Sequence, residues 1–182
     1  MYFIKEGVEN TQQTIELGIR TAIDRNIKTL VIATTSGYVV DFIPKDTNLN
    51  IVFVTTAYGS KLDNACELAD DKRDAIKANG YHLVCAAHAL SGAQRGISKK
   101  YGGISDIEII ANTLRMFSQG TKVCVEIAAM AADAGEINVN EQVVVMGGSS
   151  HGLDTALILR PMYSAKILLT KIDEIVCKPI VD

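Results

Sequence analysis

The sequence has no block of like charge, and its formal net charge at pH 7 is only −3. Nucleic acid and anionic membrane surfaces are therefore disfavoured as partners, because both are bound through clustered Lys and Arg side chains. No apolar run approaches the roughly 20 residues that cross a bilayer. The first residues also lack the basic-then-apolar order of a signal peptide. Together these absences predict a cytoplasmic protein.

Motifs for several common chemistries are missing as well. The sequence contains neither G-x-G-x-x-G nor G-x-x-x-x-G-K-[ST], which disfavours dinucleotide binding of the Rossmann type and P-loop hydrolysis. No two cysteines form a C-x-x-C pair, and all four lie in apolar segments, as reduced core thiols do. These four are Cys66, Cys85, Cys124 and Cys177. We predict neither disulfides nor a zinc site.

What the sequence does contain is a repeated alternation of apolar strands and amphipathic helices. The 182 residues are 48% hydrophobic, which suits one globular domain over residues 1–182. Four continuous apolar runs have the pattern of strands covered on both faces, and they occupy residues 30–33, 51–54, 82–86 and 142–146. Helices between them predict an α/β fold, a mostly parallel sheet inside three α/β/α layers.

The helices and the last strand carry more local signals. Helices are predicted over residues 62–79 and 122–134, with Gly120 as an interruption before the second. Ser105 and Glu108 form a capping box that opens another helix. The connection from Met146 to Thr155 is too short for a crossover helix, so residues 155–159 are predicted to run antiparallel to the fourth strand. Further β structure is predicted over residues 166–176.

Four loops follow the parallel strands, and such loops form the ligand site of an open α/β sheet. All four are rich in Gly, Ser and Thr, and they span residues 34–37, 55–59, 88–96 and 147–155. In the first, Ser36 and Gly37 lead into a short predicted helix over residues 38–43. Free N–H groups there, with the hydroxyls of Thr34 and Thr35, favour a phosphate site. The alternative is that Ser36 only caps the helix.

Other residues in these loops leave two interpretations open. Arg95 either pairs with a ligand anion or is a solvated surface residue. Tyr58 either stacks on a flat ring or is a half-buried aromatic side chain. His88 and His151 lack further ligands at metal-coordinating spacing, and remain only as weak candidates for catalysis. A hydrolase using Ser36, His151 and Asp154 is disfavoured, because no G-x-S-x-G elbow is present.

Glu126 also has two possible interpretations. It lies in the apolar sequence 123–130, where it is either partly buried and paired or, as we expect, on a solvated helix edge.

Two separated motifs resemble the C-terminal α/β domain of pyruvate kinase. One is Lys28-Thr29-Leu30-Val31-Ile32-Ala33-Thr34-Thr35-Ser36-Gly37, a strand followed by a T-x-S-G turn. The other is Gly147-Gly148 with Asp154-Thr155, a glycine-rich loop that leads into a final antiparallel strand. In some pyruvate kinases these two loops hold the phosphates of a sugar-bisphosphate activator. The catalytic barrel has no counterpart here, so the chain is not expected to make pyruvate.

The middle of the chain is similar to stand-alone proteins of archaea and bacteria that have this domain alone. The motifs are residues 91–98, Gly102-Gly103 and residues 122–127, and with them the resemblance covers nearly the whole chain. It implies a five-stranded mixed sheet of order 3-2-1-4-5 with strand 5 antiparallel, and bound FMN. That family usually has Glu where this chain has Gln94, so no role that needs a carboxylate transfers to this position.

The resulting hypothesis is a domain that binds FMN or a similar phosphorylated small molecule. The predicted cofactor site comprises Thr34, Thr35, Ser36, Gly37, Thr56, Ala57, Tyr58, Gly59, His88, Ser91, Gly92, Arg95, Gly96, Gly147, Gly148, Ser149, Asp154 and Thr155. The alternatives are a flavin-dependent oxidoreductase, with His88 or His151 as proton carrier, and a sugar-phosphate-sensing domain without catalysis. Assembly into a homo-oligomer is left open.

Overall fold

The computed structural model describes residues 1–45 and 47–180. Seven strands form one sheet: β1 (Tyr2–Phe3), β2 (Thr29–Ala33), β3 (Asn50–Thr55), β4 (His82–Cys85), β5 (Val143–Gly147), β6 (Thr155–Arg160) and β7 (Lys171–Pro179). Five α-helices accompany them: α1 (Thr11–Asp24), α2 (Asp70–Ala78), α3 (Gly92–Tyr101), α4 (Asp106–Arg115) and α5 (Gln119–Asp133). Short 3-10 helices occupy Val8–Asn10, Tyr38–Phe42 and Ser164–Leu169.

The sheet has the strand order β1-β7-β6-β5-β2-β3-β4. Strands β2 to β5 are mutually parallel, and β6 is antiparallel to β5, with Met146 opposite Ala156. Strands β4-β3-β2-β5-β6 thus reproduce the predicted order 3-2-1-4-5 with its antiparallel last strand. The prediction of five strands was wrong, because β7 pairs with β6 and β1 adds to β7. β1 is only two residues long, too short to show a strand pattern.

Both faces of the central strands β2, β3 and β5 are buried, as the continuous apolar runs predict. Val31, Val52 and Val145 point into a core shared with α5, whereas Ile32 and Phe53 point into a core shared with α1. The three-layer arrangement follows from this alternation, because successive side chains of a strand point to opposite faces. None of the helices in the described residues combines the length and the apolar character needed to cross a membrane.

Three helices differ from the prediction. α2 begins at Asp70 rather than Leu62, because residues 59–65 form a separate loop that the Gly59 N–H closes onto the Ala65 carbonyl at 3.0 Å. α3 occupies most of the predicted loop over residues 88–96. A glycine inside a helix costs only about 1 kcal/mol, so the exposed Gly96 does not prevent the helix from forming. α5 begins at Gln119, so Gly120 lies inside its first turn and does not interrupt it.

The helix that precedes α5 begins as the sequence predicts. The Ser105 side chain accepts from the Glu108 N–H, and the Glu108 carboxylate accepts from the Ser105 N–H at 2.9 Å, which completes the capping box of α4. In α5, Ser118 is the capping residue and accepts from the Thr121 N–H at 2.9 Å. Two well-capped helices therefore lie next to each other beside the sheet.

Candidate functional site

A cavity of about 150 Å³ opens at the carboxyl edge of the parallel strands. It lies between the loops that follow β2, β3 and β5 and one face of α5. Its walls are formed by Ala33, Thr34, Thr35, Val54, Thr55, Thr56, His88, Gln119, Val123, Glu126, Ile127, Met130, Gly148, Ser150, His151 and Gly152. An adjoining cavity of about 400 Å³ lies between the loop after β4, the start of α3 and the end of α5. His88 and Met130 line both cavities.

Other cavities of the molecule lie away from these loops. One of about 310 Å³ is at the amino edge of the sheet, beside Lys28 and Gln142, and two more lie along α1, near Ile19 and Ile23. Ligands of open α/β sheets bind at the carboxyl edge. The two cavities that share His88 are therefore the candidate site.

A buried ion pair forms part of the wall of this site. Lys122 and Glu126 are 4% and 2% exposed, and the Lys122 Nζ lies 2.5 Å from the Glu126 Oε2. The Leu90 N–H donates to the Glu126 Oε1 at 2.9 Å, and the His88 Nδ1 lies 3.5 Å from Oε2. Glu126 therefore links α5 to the loop after β4 and sets the orientation of the His88 ring. The expectation of a solvated Glu126 was wrong.

The charges of this pair are held by their mutual contact. Burial raises the pKa of Glu126, but the hydrogen bond from His88 and the charge of Lys122 outweigh it and lower that pKa to about 2. Burial lowers the pKa of Lys122, and Glu126 opposes this shift. Because the two charges compensate each other, the pair adds little net charge to the cavity.

The loop after β2 is arranged differently from the predicted phosphate site. The helix after it is a five-residue 3-10 helix, and the Gly37 N–H donates to the Thr34 Oγ1 at 3.1 Å. Gly37 is left-handed (φ 87°), and a Cβ there would come within 2.8 Å of the Lys72 Cβ. A glycine is required by this backbone conformation and by the packing of Lys72, and the Gly37 N–H is already used within the loop.

Asp154 has a structural role at the start of β6. Its side chain is buried, and it accepts from the Gly7 N–H at 3.2 Å, the Ser149 Oγ at 3.1 Å and the Thr155 Oγ1 at 2.8 Å. This network fixes the loop after β5 and ties it to the N-terminal segment. No hydrogen bond joins Asp154 to His151 within the described residues, since the partners of the Asp154 side chain are Gly7, Ser149 and Thr155, so Ser36, His151 and Asp154 do not form a hydrolytic triad.

Glycines allow α5 to approach the strands closely at the same place. A Cβ on Gly120 would overlap the Thr155 Oγ1 and come within 2.8 Å of the Asp154 Oδ1. A Cβ on Gly147 would come within 2.9 Å of the Gly120 carbonyl oxygen. Gly147 and Gly120 thus form a helix–strand contact that positions the first turn of α5 beside the cavity.

The structure brings part of the predicted site together. Six of the predicted residues line the first cavity, namely Thr34, Thr35, Thr56, His88, Gly148 and His151, and Gly92 lines the second. The remaining predicted residues line neither cavity, namely Ser36, Gly37, Ala57, Tyr58, Gly59, Ser91, Arg95, Gly96, Gly147, Ser149, Asp154 and Thr155. Arg95 is exposed on α3, and Tyr58 lies over the Arg73 guanidinium at 5.7 Å.

Other residues of the site were missed from the sequence. Gln119 lines the cavity and accepts from the Arg115 Nε at 2.7 Å, which places a cation just behind the wall. Lys122 was noted only as part of a motif. Its spacing of four residues from Glu126 in an otherwise apolar helix is the signal for a buried ion pair, because residues i and i+4 are neighbours on a helix.

A comparison with families of known proteins agrees with this architecture. The model of the family described as "Pyruvate kinase, alpha/beta domain" matches residues 12–159, from the first turn of α1 to the penultimate residue of β6. That range contains all four loops of the carboxyl edge and the whole of α5. The chain therefore belongs to the pyruvate kinase alpha/beta domain family.

Proposed function

We propose that this domain binds a phosphorylated small molecule, FMN or a ligand of similar shape, in the two cavities that share His88. The observation that carries the proposal is the Thr56 hydroxyl. Thr56 lines the first cavity, and its Oγ1 is buried without a hydrogen-bond partner among residues 1–45 and 47–180. A buried hydroxyl without a partner costs about 1–3 kcal/mol, which a polar ligand group offsets by bonding to it.

The chemistry of the first cavity suits a phosphate. Hydroxyls from Thr35, Thr56 and Ser150 line it, and Gly148 and Gly152 leave room for a ligand to approach the backbone. The amino end of α5 lies at the same wall, with Gln119 in contact with Arg115. A helix amino terminus and a nearby cation both favour an anion.

The size and composition of the second cavity suit a flat ring. Alone, the first cavity is smaller than the roughly 300–1,000 Å³ of typical small-molecule sites, but the two together fall within that range. The second is lined mainly by small and apolar side chains, such as Ala89, Ala93 and Met130. The phosphate is proposed to lie near Thr56, with the ring extending past His88 toward α3.

Titration of the purified protein with FMN tests the proposal. Binding quenches flavin fluorescence, and FMN is expected to bind at least about tenfold more tightly than riboflavin, because a hydrogen bond to a charged phosphate contributes about 1.5–3 kcal/mol. Thr56→Val keeps the shape of the side chain and is expected to weaken FMN binding by about tenfold. Thr113→Val, an exposed threonine on α4, is the matched control and should bind as the unaltered protein does.

The ligands in this titration separate the hypotheses. If FMN and riboflavin bind equally, no phosphate site is present in the cavity. If neither binds but a sugar bisphosphate does, with loss in Thr56→Val, the domain is a sugar-phosphate sensor. If none of the three binds, the proposed function is wrong.

A flavin-dependent reaction is a second candidate, and His88 is the observation that favours it. Its ring lies between the two cavities, and Glu126 occupies only its Nδ1, so Nε2 is the nitrogen that can exchange a proton with a ligand. Bound FMN would supply the electron transfer, and His88 would hold or move the proton. Anaerobic reduction of protein-bound FMN by NADH or NADPH is expected to slow by more than about a hundredfold in His88→Ala.

The control for this experiment is His82→Ala. His82 contacts Glu136 at the amino end of β4, at the opposite edge of the sheet from the cavities. It should leave the reduction rate unchanged. If His88→Ala retains both FMN and the full rate, or if no nicotinamide reduces the bound flavin at all, catalysis at His88 is excluded.

A further inference from the structure

A second group of reactive side chains lies beyond the candidate site, at the carboxyl ends of β3 and β4. Cys85 ends β4 directly opposite Thr55 of β3, and the loop after β3 folds back to bring Cys66 beside Thr56. The Cys66 Sγ and the Cys85 Sγ both donate to the Thr56 carbonyl oxygen, at 3.4 and 3.1 Å. The two thiols, which are distant in sequence, therefore meet at a single acceptor atom.

These thiols differ from the other two cysteines in accessibility. Cys66 and Cys85 are partly exposed, whereas Cys124 and Cys177 are fully buried. The prediction that all four are core thiols holds for Cys124 and Cys177 only. A thiol must be accessible from solvent to take part in thiol–disulfide exchange with another molecule, so of the four cysteines only Cys66 and Cys85 can react in this way.

An arginine completes the cluster. Arg73 of α2 is largely buried, with its side chain 17% exposed, and its Nε and Nη2 have no hydrogen-bond partner within the described residues. The Tyr58 ring covers the guanidinium on one side, an Asp70 carboxylate oxygen lies 3.9 Å from its Nε, and the Cys66 and Cys85 thiols lie close enough to interact with its charge. A buried guanidinium beside two thiols favours the negatively charged form of sulfur.

The two thiols are unequal in acidity. Burial raises the pKa of Cys66, but hydrogen bonds, chiefly from the Leu68 N–H and the Thr55 hydroxyl, outweigh it, so the pKa is lowered overall. Burial and the neighbouring Cys66 raise the pKa of Cys85, and Arg73 opposes this. An acidic thiol beside a less acidic one is the arrangement in which the first attacks a substrate and the second displaces it.

We propose that Cys66 and Cys85 are a redox-active dithiol that reduces a disulfide substrate, with Cys66 as the attacking thiolate and Cys85 as the resolving thiol. The Cys66 sulfur attacks one sulfur of the substrate, the substrate S–S bond breaks, and one thiol leaves. Cys85 releases its proton to solvent and attacks the Cys66 sulfur of the mixed disulfide. The second substrate thiol leaves, so two electrons pass to the substrate and the chain retains a Cys66–Cys85 disulfide.

The reaction with dithiodipyridine, an aromatic disulfide that releases a coloured thiopyridone, tests this sequence. The native protein is expected to release two thiopyridones per chain in two phases and to lose two hydrogen atoms by mass spectrometry. Cys85→Ser should release one and retain the thiopyridyl group on Cys66. Cys66→Ser should react at least about tenfold more slowly, because the less acidic Cys85 is then the attacking group.

Two measurements keep the result independent of folding defects. Circular dichroism checks that each serine variant is folded. Cys124 and Cys177 should stay unreacted in the native state and react with dithiodipyridine only after unfolding in guanidinium, which exposes them. Arg73→Gln is expected to slow the second phase more than the first, since Arg73 acts on Cys85. The proposal is overturned if the native protein keeps a thiopyridyl adduct without closing a disulfide, or if Cys66→Ser reacts at the native rate.

Discussion

Lys122 and Glu126 form an ion pair one turn apart on α5, with both side chains almost completely enclosed by the protein. Their separation of 2.5 Å is shorter than that of any exposed pair between Arg or Lys and a carboxylate in the described structure, such as Arg25 with Glu174 at 2.9 Å. Desolvation of two charges is costly, so the pair is expected to be sensitive to the loss of either partner.

Lys122→Met is therefore expected to lower the free energy of unfolding by about 3–5 kcal/mol, because Glu126 is left buried without its counter-charge. Urea denaturation measures the change. The double variant Lys122→Met with Glu126→Met removes both charges and should recover part of the loss, the remainder reflecting the Leu90 N–H that is left without its acceptor. Arg25→Met, in the exposed pair, should cost less than about 1 kcal/mol. Equal losses for Lys122→Met and the double variant would contradict a stabilising role of the contact.

The pH dependence of stability follows from the same carboxylate. The pKa of Glu126 is lowered from 4.5 to about 2 on folding, so its contribution is complete above about pH 4.5 and is lost as the pH falls toward 2. We expect unfolding free energies measured over this range to decline with a slope of up to about 1.4 kcal/mol per pH unit from this group. The double variant lacks the group and should show a shallower acid slope. Identical slopes would show that Glu126 is not held ionised by the fold.

Gly120 and Gly96 form a matched pair for testing close packing. Gly120→Ala places a methyl group against Thr155 and Asp154, and is expected to cost about 1–3 kcal/mol of unfolding free energy. Gly96→Ala lies in exposed α3 with no atom within 4 Å of the added Cβ, and is expected to stabilise by about 0.5–1 kcal/mol. Thermal unfolding followed by circular dichroism compares the two. Stabilisation by both changes would show that α5 does not pack as described.

Helix capping offers a second matched pair. Ser105→Ala removes the side chain that accepts from the Glu108 N–H and is expected to destabilise the protein by about 0.5–2 kcal/mol. Ser91 precedes α3 without making a side-chain capping bond, so Ser91→Ala should change stability by less than about 0.5 kcal/mol. Urea denaturation of the two variants measures the difference. A similar cost at both positions would mean that the capping box adds nothing specific.

The central strands of the sheet can be predicted from the sequence, whereas β1 and many of the residues that line the cavities cannot, and the physical reasons differ. Val31, Val52 and Val145 lie in runs whose apolar character is continuous, a pattern set by burial on both faces. β1 depends instead on pairing between Phe3 and Pro179, which no local pattern reveals.

Residues around the cavities depend on tertiary contacts in the same way. Gly37 lies in a loop whose Thr, Ser and Gly residues are typical of a phosphate site, but the left-handed backbone there and the packing of Lys72 already require a glycine. Lys122 and Glu126 carry charges that usually indicate solvent, and only the position of α5 between sheet and α4 buries them. Composition predicts the kind of loop, whereas the neighbours of each side chain decide which residues reach the cavity.

The pairing of β2 with β5 has a consequence for the order of folding. Leu30 lies beside Val144 in the sheet, although most of the chain separates them. Closing so long a loop is entropically costly, so this contact is expected to form late, after the local β2–β3 and β3–β4 units. The wall formed by Gly148 and Gly152 is brought to Thr35 only by that closure. A nascent chain that has not yet produced α5 and β5 thus has no enclosed cavity, and the capacity to hold a ligand arises only with a late, long-range step of folding.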